Sequence, residues 1–161
     1  MQLHSDSFPN NGLIPVACAF AQIDEKTRVR LSDNKNPHLA WTDVPQGTQS
    51  FVVLCVDAQA PTDPADVNQT DREVPADLPR ADFVHWALIN IPANVHTIAE
   101  GQFSQEITPR GKSGPMIIGK DFKDSPMRQG INDYTHWFAN DHDMAGDYYG
   151  ASGVLIDAVY R

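Results

Sequence analysis

Asp57 closes one apolar run of the chain and His85 stands near the start of the next. The first run covers residues 50–56 and leads into Asp57-Ala58-Gln59-Ala60-Pro61; the second covers residues 83–92. Both have the length and the Val/Ile/Leu/Phe/Trp content of buried strands. An aspartate leaving one strand and a histidine entering the next can share a pocket at one end of a sheet. There the carboxylate can hold one imidazole nitrogen and leave the other for a ligand or a proton. Each residue also has an ordinary structural use. Asp57 is suited to start a turn by accepting backbone N–H groups, and a lone strand histidine is commonly a satisfied core residue. A neighbouring carboxylate raises a histidine pKa and burial lowers it, so the two influences oppose each other here.

Other side chains offer less. The stretch Asp141-His142-Asp143-Met144-Ala145-Gly146-Asp147 partly imitates a calcium loop. Ala145 lacks an oxygen at the fifth position, however, and Ser152 stands where a bidentate glutamate is needed. A solvated acidic loop is expected. His136 and His142 are spaced so that one helical face cannot present both. No zinc spacing of Cys and His, phosphate-cradling glycine loop or Gly-x-Ser-x-Gly elbow occurs. Cys18 and Cys55, the two cysteines, lie in apolar runs and read as buried free thiols, with a disulfide as the alternative; Cys18, within residues 16–21, reads as an inert core thiol, and a reducing cytoplasm is the expected home. No catalytic residue, metal or cofactor is expected. Trp41, Trp86 and Trp137 read as core or pocket-wall residues.

The elements that position Asp57 and His85 are mostly strands and loops. A chain of 161 residues suits a single domain able to bury a core. Strands are expected at residues 2–8, once or twice within 13–23, at Arg28–Leu31, around Leu39-Ala40-Trp41, and in the two long runs, with 95–98 as an extension. Pro45-Gln46-Gly47-Thr48 has the composition of a turn. Residues 62–81, rich in Asp and Pro, read as a long loop, and breakers crowd residues 101–115. Tyr134, Trp137 and Phe138 fit one short helix or an aromatic loop. The fold class is therefore all-β: a mainly antiparallel, sandwich-like sheet with long loops and one or two short helices. With 12 Lys+Arg against 21 Asp+Glu the chain is acidic, which disfavours nucleic acid and anionic membranes as partners. Arg110, Lys112, Lys120, Lys123 and Arg128 form a basic stretch read as solvated surface. No window is apolar enough for a membrane span, and the amino terminus has no signal-peptide pattern.

The succession Asn36-Pro37-His38-Leu39-Ala40-Trp41, Val44-Pro45-Gln46-Gly47-Thr48, the run 50–56, Asp57-Ala58-Gln59-Ala60-Pro61 and Asp82-Phe83-Val84-His85-Trp86 with Asn90-Ile91-Pro92 resembles the phosphatidylethanolamine-binding protein family. It is most similar to the bacterial Raf-kinase-inhibitor-like branch. The family's Asp-Pro-Asp-Ala-Pro signature is kept at Asp57, Ala60 and Pro61 and altered at Ala58 and Gln59. The resemblance implies a pocket that takes a small anion, such as phosphate or a phospholipid head group. In it Asp57 would orient His85, the ligand donor or acceptor, Pro61 would hold the loop rigid, and Ala60, Pro61 and Phe83 would shape the wall.

The likeness runs to about Gly150, so residues 1–150 are expected to form the family domain and 151–161 an unmatched tail. Relatives continue with a Gly-Pro-x-Pro-Pro loop and a His-containing strand. The resemblance thus implies a shortened, altered carboxyl end, without the pocket's other wall and second histidine, and impaired binding or stability. A non-enzymatic small-anion binder is the expected function. The alternative is a regulator of a kinase or protease acting through the 62–81 loop. A hydrolase using His85 as general base would need a nucleophile or metal that the sequence does not supply.

Overall fold

A computed structural model of the chain describes residues 1–63, 65–67, 71–117, 124–153 and 155–156. In chain order the elements are β1 (Gln2–His4), a 3₁₀ turn (Val16–Cys18), β2 (Ala21–Asp24), β3 (Arg28–Leu31) and β4 (Leu39–Thr42). Then come β5 (Ser50–Pro61), β6 (Arg80–Pro92), β7 (Thr97–Ile98), β8 (Arg128–Gln129), helix α1 (Tyr134–Trp137) and β9 (Leu155–Ile156). The expected all-β class holds. Among the described residues three small sheets form, ordered β1-β4-β7, β3-β2-β9 and β5-β6-β8. All pairings are antiparallel except β2 with β9.

β5 and β6 form the spine, pairing from Ser50↔Pro92 to Pro61↔Arg80. β4, β7 and the β5–β6 pair enclose one core of Trp41, Phe51, Trp86, Leu88, Ile91 and Ile98. A second, aromatic core gathers Phe20, Tyr134 and Tyr148, with Phe83, Trp137 and Phe138 packed against it.

Several local expectations are met for the expected reasons. The turn after Val44 closes with Thr48 N–H donating to the Pro45 carbonyl at 3.3 Å, and Gly47 supplies the positive φ of 88°. The aromatic segment after Asp133 forms one short helix. Other expectations fail locally. Within 13–23 only Ala21–Asp24 is a strand. Pro15 starts a 3₁₀ turn instead, because Cys18 N–H and Ala19 N–H bond back to Pro15 and Val16 carbonyls. Those local bonds consume groups a ladder would need. β1 stops at His4, because the next residues turn to side-chain bonds: Ser5 Oγ donates to the His38 carbonyl and Ser7 N–H to Ser5 Oγ.

The loop expected at 62–81 begins after Pro61 and is pinched where Thr62 N–H meets the Pro79 carbonyl at 3.0 Å. It carries a small core of its own, Val67 and Val74 with Leu78 and Trp137. Lys120 and Lys123 of the basic stretch, and most of the run 154–160, lie outside the described residues. No helix among the described residues is long and apolar enough to cross a membrane.

Candidate functional site

β6 has an extra residue where the histidine stands. Cys55 pairs with Trp86 and Val56 with Val84, so one residue of β5 is matched by two on β6, and His85 is the surplus one. Successive residues of a regular strand face opposite sides, whereas a bulge re-aims a side chain. His85 and Trp86 are accordingly both buried, the imidazole on the aromatic core and the indole in the other. A period-two reading of the sequence cannot foresee this.

The imidazole has an aromatic enclosure. The Phe83 ring centroid lies 4.8 Å away and that of Tyr134 5.6 Å. Phe83 is in turn braced edge-on by Tyr134 at 5.0 Å and Trp137 at 5.7 Å. His85 Nδ1 is buried and has no hydrogen-bond partner among the described residues. Burial pushes the histidine pKa from 6.5 down to about 4, although the charges of Asp57 and Asp133 and the backbone of Ser152 and Gly153 pull upward. Desolvation therefore outweighs the carboxylates, and the ring is neutral at neutral pH.

Asp57 pairs with Phe83 on the neighbouring strand, and its charge reaches His85. Its Oδ1 accepts the Gln59 N–H at 2.8 Å, the turn role that its type also suits. The carboxylate does not hold Nδ1. Residues 58 and 59 leave the ladder, which resumes with Ala60↔Ala81 and Pro61↔Arg80. Pro61 thus ends a strand, where its missing N–H is tolerated, and does not stiffen a loop as expected. The structure brings Asp57, Phe83 and His85 together within the β5–β6 pair, and Ala60 and Pro61 continue that ladder to its end. Gln59, in place of the signature's second aspartate, is exposed.

Asp133 was not singled out from the sequence, although an aspartate before a short aromatic helix is a recognisable start signal. Its Oδ2 accepts Val84 N–H at 2.7 Å and its own N–H donates to the Val84 carbonyl at 3.0 Å. This clasp fixes α1 beside His85. The segment after Gly150, expected as the start of an unmatched tail, packs beside the site. Ala151 and Ser152 are buried, and Ser152 N–H donates to the His85 carbonyl at 3.1 Å. Tyr134 Oη donates to the Gly153 carbonyl at 2.9 Å, and Gly153 N–H donates to Asn34 Oδ1 at 2.6 Å. A Cβ added at Gly153 would stand 2.2 Å from the Cys18 carbonyl oxygen, so only glycine passes there. No sequence period marks such a strap, because its bonds are made to residues far away in the chain.

A family model described as phosphatidylethanolamine-binding protein matches residues 4–152. The chain belongs to the phosphatidylethanolamine-binding protein family. UPF0098 protein YbhB of Escherichia coli is 39% identical over 69 residues, which is 43% of this chain and 33% of that protein. A UPF0098 protein of Aquifex aeolicus is 28% identical over 136 residues, 83% of this chain and 53% of that one. The chain thus spans between about a third and a half of the length of these relatives. The crystal structure of E. coli YbcL, titled a new member of the mammalian PEBP family, superposes with a TM-score of 0.55. It is 22% identical, and the match covers 96% of this chain and 66% of that one, a likeness of fold.

The remaining candidates settle as surface or core. Asp141 Oδ1 accepts the N–H groups of Asp143 and Met144, and His142 is exposed, as a solvated acidic loop requires. Among the described residues no group of three or more His, Cys, Asp or Glu is placed to hold a metal. Both cysteines are free, but only Cys18 is buried. Cys55 is exposed, contrary to expectation, because the outer side of β5 lacks a cover. Burial, and secondarily the charge of Glu100, pushes the Cys18 thiol up to about 11.

Proposed function

We propose that this protein is a non-enzymatic binder of a small anion, phosphate or a phospholipid head group, at a site around Asp57 and His85. The observation that carries the reading is the buried imidazole whose Nδ1 lacks a partner. An unmet buried hydrogen-bonding group costs roughly 1–3 kcal/mol, which an incoming oxygen ligand recovers. Membership of a family named for phosphatidylethanolamine supports the same chemistry. Asp57 and Asp133 disfavour a bare anion, so a zwitterion suits the site better. Its ammonium answers the carboxylates, its phosphate answers His85, and Phe83 supplies an apolar wall.

An anion held by the imidazolium must also raise the low pKa of His85, so binding and protonation are coupled. Sulfate, whose charge is constant near neutrality, is expected to bind more tightly as pH falls from 7.5 to 5.5, approaching about tenfold per unit. Calorimetry should rank phosphoethanolamine above phosphate, and both should be lost in His85→Gln. Unchanged binding by a folded His85→Gln protein would remove the assignment. Turnover of a phosphomonoester that vanishes in the same variant would replace binding by hydrolysis.

A further inference from the structure

His38 takes no part in the site at His85, yet residues far away in the chain hold both its backbone and its ring. Residues 5–7, directly after β1, wrap around it. Ser5 Oγ donates to the His38 carbonyl at 2.5 Å, and His38 N–H donates to Ser7 Oγ at 2.9 Å. Between these two, Asp6 N–H donates to the imidazole Nδ1 at 3.0 Å. A ring nitrogen that accepts a hydrogen bond carries no proton, so the neutral ring has its proton on Nε2. Nε2 lies 3.3 Å from Thr97 Oγ1 on β7, which can accept it. The ring thus ties the amino-terminal arm to β7, and only its neutral form can make both bonds.

Several titratable groups surround the ring. Asp6 Oδ2 stands 3.6 Å from the same Nδ1, on a side chain that is 80% exposed. The His4 ring centroid lies 6.2 Å away. Glu100 is one hydroxyl further out, accepting from Ser7 Oγ at 2.6 Å. His96, next to Thr97, sets its ring edge-on to Phe51 instead. A second proton on His38 would sit on Nδ1 and face the Asp6 N–H, donor against donor. The Asp6 carboxylate offers a replacement partner, but an ion pair so open to water is weak, and a charged His4 adds repulsion.

We propose that His38 is a proton-switched clasp on the amino-terminal arm: the Asp6 N–H and a proton compete for Nδ1, so the clasp is closed when the ring is neutral and opens as acid charges it. The closed form excludes that proton and the open form binds it, which fixes the sign of the pH dependence. Beyond residues 5–7 the arm has a slight hold. β1 is three residues long, each exposed, and among the described residues it pairs with β4 alone. Ser5 and Ser7 grip backbone groups that do not titrate, so opening starts at Asp6.

The test uses the full chain, labelled with ¹⁵N, and follows amide hydrogen exchange and the histidine ring nitrogens from about pH 7.5 to about pH 5.5, where histidine side chains change charge. After correction for intrinsic exchange rates, protection of the Asp6 amide is expected to fall by about tenfold or more, since a one-proton step is worth up to tenfold per pH unit. Amides within β6 should keep their protection over the same range. In His38→Asn the side-chain oxygen can take the place of Nδ1 without titrating, so Asp6 should stay protected at every pH. Three results would overturn the proposal: a neutral His38 ring with its proton on Nδ1, wild-type Asp6 protection that does not change with pH, or an equal fall in His38→Asn, which would move the switch to His4 or Glu100. A parallel loss in β6 would mean global unfolding and would overturn it as well.

Discussion

The two sides of the β5–β6 pair are built from similar residues and end in opposite states. Around Tyr134 the chain closes on itself. Phe20 and Phe138 stack on that ring at 4.8 and 5.4 Å, and the strap through Gly153 ties its hydroxyl. Along the outer edge of β5, valines and a leucine of equal apolarity stay in the open. Hydrophobicity is thus a necessary condition for burial here and not a sufficient one. What decides is whether another segment arrives to cover the side chain and to pair the backbone beside it.

The sharpest way to break the contrast is to cut one large residue from each side. Tyr134→Ala, at 1% exposure, is expected to cost about 3–5 kcal/mol in denaturant unfolding, as for a buried aromatic. Leu54→Ala, at 63% exposure, should stay within about 0.5 kcal/mol, as exposed substitutions do. A Leu54→Ala cost approaching that of Tyr134→Ala would mean the edge of β5 is covered in solution.

A second test sharpens the closed side. The folded protein holds His85 at about 4 where an unperturbed histidine titrates near 6.5, so the unfolded chain binds the extra proton between those values. The associated stability is complete above about pH 6.5 and drains as pH falls towards 4, by roughly 3 kcal/mol in all. His85→Leu should flatten the pH dependence of the unfolding free energy across this window. An equally steep profile in the variant would assign the loss to other groups.

The smallest effect on stability is also the most local. Cys55, exposed although desolvation and the charge of Asp57 raise its thiol pKa as well, should react slowly with a thiol reagent in the native protein, while Cys18, buried and pushed up to about 11, should react only on unfolding. Modification of Cys55 is expected to change the melting temperature little. Simultaneous loss of both thiols would erase the distinction between the two sides.

Much of the architecture was legible. The alternation in Arg28–Leu31, the glycine turn after Pro45, the two long apolar runs and the aromatic helix after Asp133 all carry local signals that tertiary packing did not override. The family likeness placed Asp57, Phe83 and His85 in one neighbourhood, and the strand register puts Asp57 opposite Phe83. What escaped was set at long range. Asp133 reaches Val84, Asn34 reaches Gly153, and Asn132 Nδ2 donates to the Gly150 carbonyl at 2.9 Å. Each bond joins segments whose sequences carry no mark of the other. The strand expected around Pro15 failed because three-residue hydrogen bonds closed locally before a ladder could form.

By itself, then, the order of residues determined which stretches could be strands, where they had to turn, and which carboxylate and imidazole stood at the ends of neighbouring runs. Those properties depend on side-chain period and backbone freedom, both confined to a few consecutive residues. Only the tertiary structure decided that one surplus residue in β6 would swing His85 into an aromatic enclosure, and that Leu54 would be left outside. Ladder register and burial are properties of two segments meeting, and no single segment contains them.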